Sequence, residues 1–219
     1  TAEAQLVLET AFEQFSEAWE HPGLLHLYIH LMEMSPFPQK ALRAGDCLRD
    51  LVPDAGHLIH MPTHIDVLCG QYSDVVVYNQ KAIAADRKFL AEVGAMNVYS
   101  LYRTHDHHFV IYGAMFLGLY RPAIRAAQEL IDTTPDELLR VESPPMADFI
   151  EGYLPMKQHV LIRFGKWQEI VAQELPNDQV LYCATTAMMR YARSVAYSAM
   201  GSVAEAAAEK EAFLAAKVE

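Results

Sequence analysis

Histidines recur in this sequence at spacings that suit metal ligation. His26 and His30 are four residues apart, as are His60 and His64, and His57 stands three residues before His60. His105, His108 and Tyr112 form a third run at intervals of three and four. Side chains three, four and seven residues apart share one face of an α-helix. Each run therefore presents its imidazoles as a row. A neutral imidazole is the commonest metal ligand, and one helix can supply two of them to a single ion. Nine of the ten histidines lie between residues 21 and 108, His159 being the exception.

An all-imidazole donor set without thiolate suits copper, zinc, iron or nickel. Glu33, three residues after His30, adds a carboxylate that would favour iron or zinc. Six histidines from three helices would serve two copper ions with three imidazoles each. The expected cofactor is thus one or two transition-metal ions, copper ahead of iron and zinc. The expected ligands are His26, His30, His60 and His64, extended by His105 and His108, with His57 as a ligand or a supporting donor. A histidine cluster can also act as a pH switch. That role does not require equivalent positions in successive segments.

The rest of the composition narrows the classes. The net charge of −11, with 17 Lys+Arg against 28 Asp+Glu, opposes nucleic acid, and no basic run offsets it. No stretch of about 18 apolar residues suggests a transmembrane span. A cytoplasmic location is expected, although the chain starts at Thr1 without Met. Cys47, Cys69 and Cys183 lie far apart in apolar patterns and are expected to be buried free thiols. No nucleophile elbow, phosphate-binding loop, dinucleotide fingerprint or HExxH string is present. Any catalysis therefore falls to the metal.

The elements that must position these rows repeat along the chain. Gly70-Gln71-Tyr72 is followed by Ala82 and Asp86, and Gly118-Leu119-Tyr120 by Ala123, Ala127, Leu130 and Pro135. Gly165-Lys166-Trp167 precedes Ile170, and Gly201-Ser202-Val203 precedes Ala206. Each glycine ends one apolar helical pattern and a second begins about two residues later, which predicts helix, tight turn, helix. An earlier, weaker unit has Pro36-Phe37-Pro38 at the turn, then Ala41, Leu48 and Pro53. The first helix of each unit is predicted near 22–34, 57–69, 104–117, 151–164 and 187–200. Pro22 and Pro62 suit helix starts. Residues 88–103 and 136–150 lengthen two of the intervals beyond a plain repeat.

Measured from the turns, the rows coincide. His57, His60 and His64 stand 13, 10 and 6 residues before Gly70. The same offsets before Gly118 give His105, His108 and Tyr112, and before Pro36 they give Gly23, His26 and His30. His159 takes the last offset before Gly165. His21 and His107 fall outside the pattern, and Asp106 and His107 are expected to face solvent or a neighbouring repeat.

The turn glycine, the aromatic after it, the alanines and the closing proline resemble the tetratricopeptide repeat family, over about residues 22–213. The strings His21-Pro22-Gly23…His26…Ile29-His30 and His60-Met61-Pro62-Thr63-His64-Ile65 are similar to those of a histidine-rich, mostly uncharacterised bacterial subgroup. The resemblance implies an all-α helix-turn-helix solenoid in a single domain of about five pairs plus an N-terminal helix. It also implies that these offsets line one concave groove, so that the three rows face one another. On that basis Tyr112 is the expected catalytic accessory and Arg163 the expected contact for an anionic substrate. Tyr112 as a core aromatic and Arg163 as an ion-pair partner are the plainer roles. The expected function is a metalloenzyme acting on a small molecule or peptide, with oxidative copper or iron chemistry ahead of zinc hydrolysis. A protein-interaction scaffold and a metal carrier or sensor are the alternatives, and the oligomeric state is left open. No nucleic-acid or membrane partner is expected.

Overall fold

The computed structural model describes residues 2–216, and all of the regular structure among them is helical. The chain divides into two compact units, residues 1–94 with 112–117, and residues 95–111 with 118–219. The first unit contains α1 (Ala2–Gln14), α2 (Pro22–Glu33), α3 (Leu42–Leu48), α4 (Gly56–His60), α5 (Pro62–Cys69) and α6 (Tyr72–Val93). Short 3-10 turns at Ser16–Glu20 and Pro38–Ala41 join its early helices. Helix α7 (Ser100–Phe116) gives its first part to the second unit and its end to the first. The second unit continues with α8 (Tyr120–Asp132), α9 (Asp136–Leu139), α10 (Met146–Ile150), α11 (Met156–Arg163), α12 (Trp167–Val171), α13 (Cys183–Ala199) and α14 (Val203–Ala216). No helix is long and apolar enough to cross a membrane among the described residues.

The four predicted turn glycines, Gly70, Gly118, Gly165 and Gly201, all have φ between 64° and 80°. A side chain there would strain the backbone, so glycine is required. Three of them close the preceding helix in the same way. The Gln71 N–H donates to the Asp66 carbonyl at 2.8 Å, Lys166 to Leu161 at 2.8 Å, and Ser202 to Tyr197 at 2.9 Å. These bonds satisfy carbonyls that the helix end leaves open.

One predicted helix is broken. Residues 57–69 form α4 and α5, separated at Met61, because Pro62 has no N–H and its ring crowds the carbonyl one turn back. Pro22, in contrast, opens α2 cleanly, and the His21 ring caps that helix by accepting the Leu24 N–H at 3.3 Å. The predicted 151–164 helix begins only at Met156, behind Pro155, and the last one begins earlier, at Cys183. The 136–150 insertion folds into α9 and α10 around a turn in which Glu142 bridges to Pro145.

The apolar faces of α2, α3 and α5 pack in the first unit around Leu25, Ile29, Met32, Leu48, Met61 and Ile65. Burying each such side chain contributes roughly 1.5–3 kcal/mol. Leu25, Ile29 and Met32 alternate along α2 with His26, His30 and Glu33, so packing one face aims the other at α4 and α5. Arg49 adds a polar tie: its guanidinium meets the Asp66 carboxylate through two hydrogen bonds of 2.8 and 2.7 Å. In the second unit Leu130, Leu138, Met146 and Ile150 form one cluster, and Leu161, Ile170, Ala192 and Ala196 form another. The thiols differ from expectation: Cys183 is exposed, and Cys47 and Cys69 are half-buried. Cys183 opens α13 at the surface, where an apolar sequence context does not require burial.

Candidate metal centre

Five imidazoles and one carboxylate gather on the polar sides of α2, α4 and α5. His26 and His30 stand 4.6 Å apart by ring centroid, one turn from each other on α2. His57 on α4 meets His26 at 5.1 Å and His30 at 6.4 Å. His60 continues the row 6.2 Å from His57, and His64 on α5 lies 4.8 Å from His60 and 6.4 Å from His30. The two helical rows therefore face each other.

One ligand atom from each of His26, His30 and His57 lies within 4.8 Å of the other two. The Nε2 atoms of His26 and His57 are 3.2 Å apart. Two nitrogens bound to one tetrahedral metal at 2.0–2.1 Å are separated by about 3.3 Å. The spacing thus nearly matches a shared ion. His57, for which ligand and supporting roles were both open, joins His26 and His30. His60 and His64 form a neighbouring pair whose Nε2 atoms are 2.8 Å apart.

Glu33, expected as a possible ligand, contacts two of the rings. Its Oε1 accepts from the His30 Nδ1–H at 2.8 Å and its Oε2 from the His64 Nδ1–H at 2.6 Å. This leaves Nε2 of each ring as the lone-pair atom, the arrangement in which a carboxylate fixes a metal-binding histidine. Burial pushes the Glu33 pKa up, but the hydrogen bonds from His64 and His30 outweigh it and hold the group at about 2. His60 is held from its other side, its Nδ1 lying 2.6 Å from Asn79 Oδ1. Asn79 and Thr63 were not anticipated. Asn79 lies in the apolar pattern of α6 and becomes legible only once α6 is packed beside α4 and α5.

The charge state of the cluster favours ligation. Burial, then repulsion from His26, His30 and His64, lowers the His57 pKa to about 4. Burial and His30 likewise lower that of His26, with Glu33 opposing. Both rings stay neutral at pH 7, as a ligand must be. In the unfolded chain a histidine takes up its proton near pH 6.5, whereas folded His57 does so only near 4. The unfolded state binds more protons across that window, so stability falls as pH drops from 6.5 to 4. Urea midpoints of metal-free protein between pH 7.5 and 4.5 should decline, and His57→Gln should flatten the decline. An equal slope in both proteins would refute this assignment. Glu33 contributes separately, through stability lost only below about 4.5, its ordinary value.

The second unit holds the other expected residues. His105 and His108 sit on α7 with Tyr153, whose hydroxyl is 3.4 Å from His105 Nδ1 and whose ring is 5.2 Å from that of His108. Burial lowers the pKa of His108 and of His159. Tyr153 was missed because it precedes its helix and follows no repeat offset. Asp106 and His107 are buried, which rules out the solvent-facing one of their two expected roles. The His107 Nδ1–H donates to the Arg103 carbonyl at 2.8 Å, and its Nε2 lies 3.9 Å from Glu129. Arg163 lies exposed at the end of α11, 6.0 Å from the Phe164 ring centroid. Tyr112 belongs to the first unit and packs 4.8 Å from Phe116, which stacks on Tyr72. No family model, curated protein or solved structure matches the chain.

Proposed function

We propose that the chain binds a transition-metal ion through His26, His30 and His57 and uses it as a metalloenzyme centre. The carrying observation is the convergence of these three imidazoles from α2 and α4 to within 4.8 Å. Three protein ligands leave a coordination position for water or substrate, as catalytic sites do and closed structural sites do not. His30, with 44% of its side chain exposed, keeps that side accessible. The ion would polarise a bound oxygen or exchange an electron. Its nitrogen-rich shell favours oxidative copper or iron chemistry over zinc hydrolysis, copper binding such donors most tightly.

A groove of about 670 Å³ lies beside His30, lined by Glu3, Val7, Leu8, Leu27 and Leu31. It supports a substrate with an apolar body, a small molecule or a peptide side chain. The tetratricopeptide-type reading of the helix pairs draws its support from the left-handed glycines at the four turns.

Metal analysis of tag-free protein, followed by equilibrium dialysis, tests the proposal. At least one transition-metal ion per chain should be retained at neutral pH, and its identity separates redox from hydrolytic chemistry. Protein that retains none, and takes up neither copper nor zinc at micromolar concentration, would overturn the metal reading.

A further inference from the structure

The hydrogen bonds around His60 and His64 determine which way both rings point. Asn79 Nδ2 donates to the Val75 carbonyl at 2.8 Å and to Thr63 Oγ1 at 2.9 Å. Thr63 spends its own proton on the His60 carbonyl at 2.6 Å, so its oxygen accepts from Asn79. The Asn79 amide is thereby oriented with Oδ1, a pure acceptor, toward His60 Nδ1. His60 must carry its proton on Nδ1. On the other side the Glu33 carboxylate, also a pure acceptor, requires a proton on His64 Nδ1. With one proton on each ring, the two Nε2 lone pairs face each other at 2.8 Å. Lone pairs at that distance repel unless a proton or a metal ion lies between them.

Resting on the metal-binding reading above, we infer that His60 and His64 hold a second divalent transition-metal ion beside the position formed by His26, His30 and His57. Binding requires the two nitrogens to open from 2.8 Å to about 3.3 Å, a small rotation of either side chain. Glu33 ties the two positions together, since its oxygens hold Nδ1 of His30 at the first and of His64 at the second. Asn79 does the same for His60 alone. The cation replaces the extra proton that would otherwise make the His60–His64 contact a shared hydrogen bond.

Zinc titration of tag-free protein, by equilibrium dialysis and chelator competition at pH 7.5, tests this. Two equivalents should bind. His64→Ala and His57→Ala should each lose one equivalent and keep the other. Glu33→Gln should weaken both by roughly 10–100-fold, because one amide oxygen cannot accept from both rings. X-ray absorption at one and two equivalents supplies a readout that needs no variant: imidazole nitrogen should dominate the zinc shell at both. One equivalent, lost in His57→Ala and unchanged in His64→Ala, would overturn the second position and leave the first standing. One equivalent lost only in His64→Ala would overturn the first and leave the second. A wild-type protein that binds no zinc would overturn both.

Discussion

Replacing His57 by Ala is expected to lower affinity for the metal it shares with His26 and His30 by at least 100-fold, about 2.7 kcal/mol or more. Loss of an outer hydrogen-bonding partner typically costs 10–100-fold, and a direct ligand should cost no less. His57 is the ring that joins the two rows: it lies on α4, yet its Nε2 is 3.2 Å from that of His26 on α2. Removing it leaves His26 and His30, one turn apart on α2, without the ring that α4 adds to them. Its pKa of about 4 adds a second reason. A neutral ring has no proton to displace at pH 7, so the measured loss is loss of a bond. His21→Asn is the control, since His21 stands only five residues before His26 but caps α2 and can be replaced by another capping residue. Calorimetric titration of both variants at equal helix content decides the matter. Equal affinities in His57→Ala and His21→Asn would mean that the convergence of the three rings does not bind metal.

The sequence allowed these histidines to be selected but not sorted. Equal offsets from successive turns identify His26, His30, His57, His60 and His64 as residues of one kind, because helix periodicity fixes the face on which each side chain emerges. The grouping depends on the approach of α2 to α4 and on the break at Pro62, and both depend on how Leu25, Ile29, Met61 and Ile65 pack. Glu33 was noticed as a possible ligand, yet its orienting role follows from having one histidine on each side, the farther of them 31 positions along the chain. Asn79 carries no local signal, since a polar residue inside an apolar helix is recognised only through its partner. The turn glycines were legible because positive φ excludes side chains whatever the packing. The solvent-facing alternative for Asp106 and His107 fails for the opposite reason: charge type suggested solvent, but Asp106 is fully buried and His107 is bonded to the backbone within its own helix.

Substituting Asp66 by Ala is expected to destabilise the first unit by about 3–5 kcal/mol, out of a total that for most domains is only about 5–15 kcal/mol. Asp66 on α5 is fully buried and Arg49, just beyond α3, is 6% exposed. The pair is bidentate, at 2.8 and 2.7 Å, and the guanidinium also lies 4.3 Å from the Tyr78 ring centroid on α6. Removing the carboxylate leaves the buried cation with Asp46, 71% exposed and 3.1 Å from its Nε, as a remaining partner. An exposed partner of that kind contributes little in water. Most of the loss is therefore the cost of an uncompensated charge, not the worth of the pair itself. The double substitution Arg49→Met with Asp66→Leu removes both charges and should recover most of the stability lost in Asp66→Ala. The pair ties the chain after α3 to α5, the helix that carries His64, so Asp66→Ala should also weaken zinc binding while the double variant restores it. Urea unfolding of the three proteins, with zinc titration of each, provides the comparison. A loss below 1 kcal/mol in Asp66→Ala, or a double variant no more stable than the single one, would show that the buried charge is solvated in some other way.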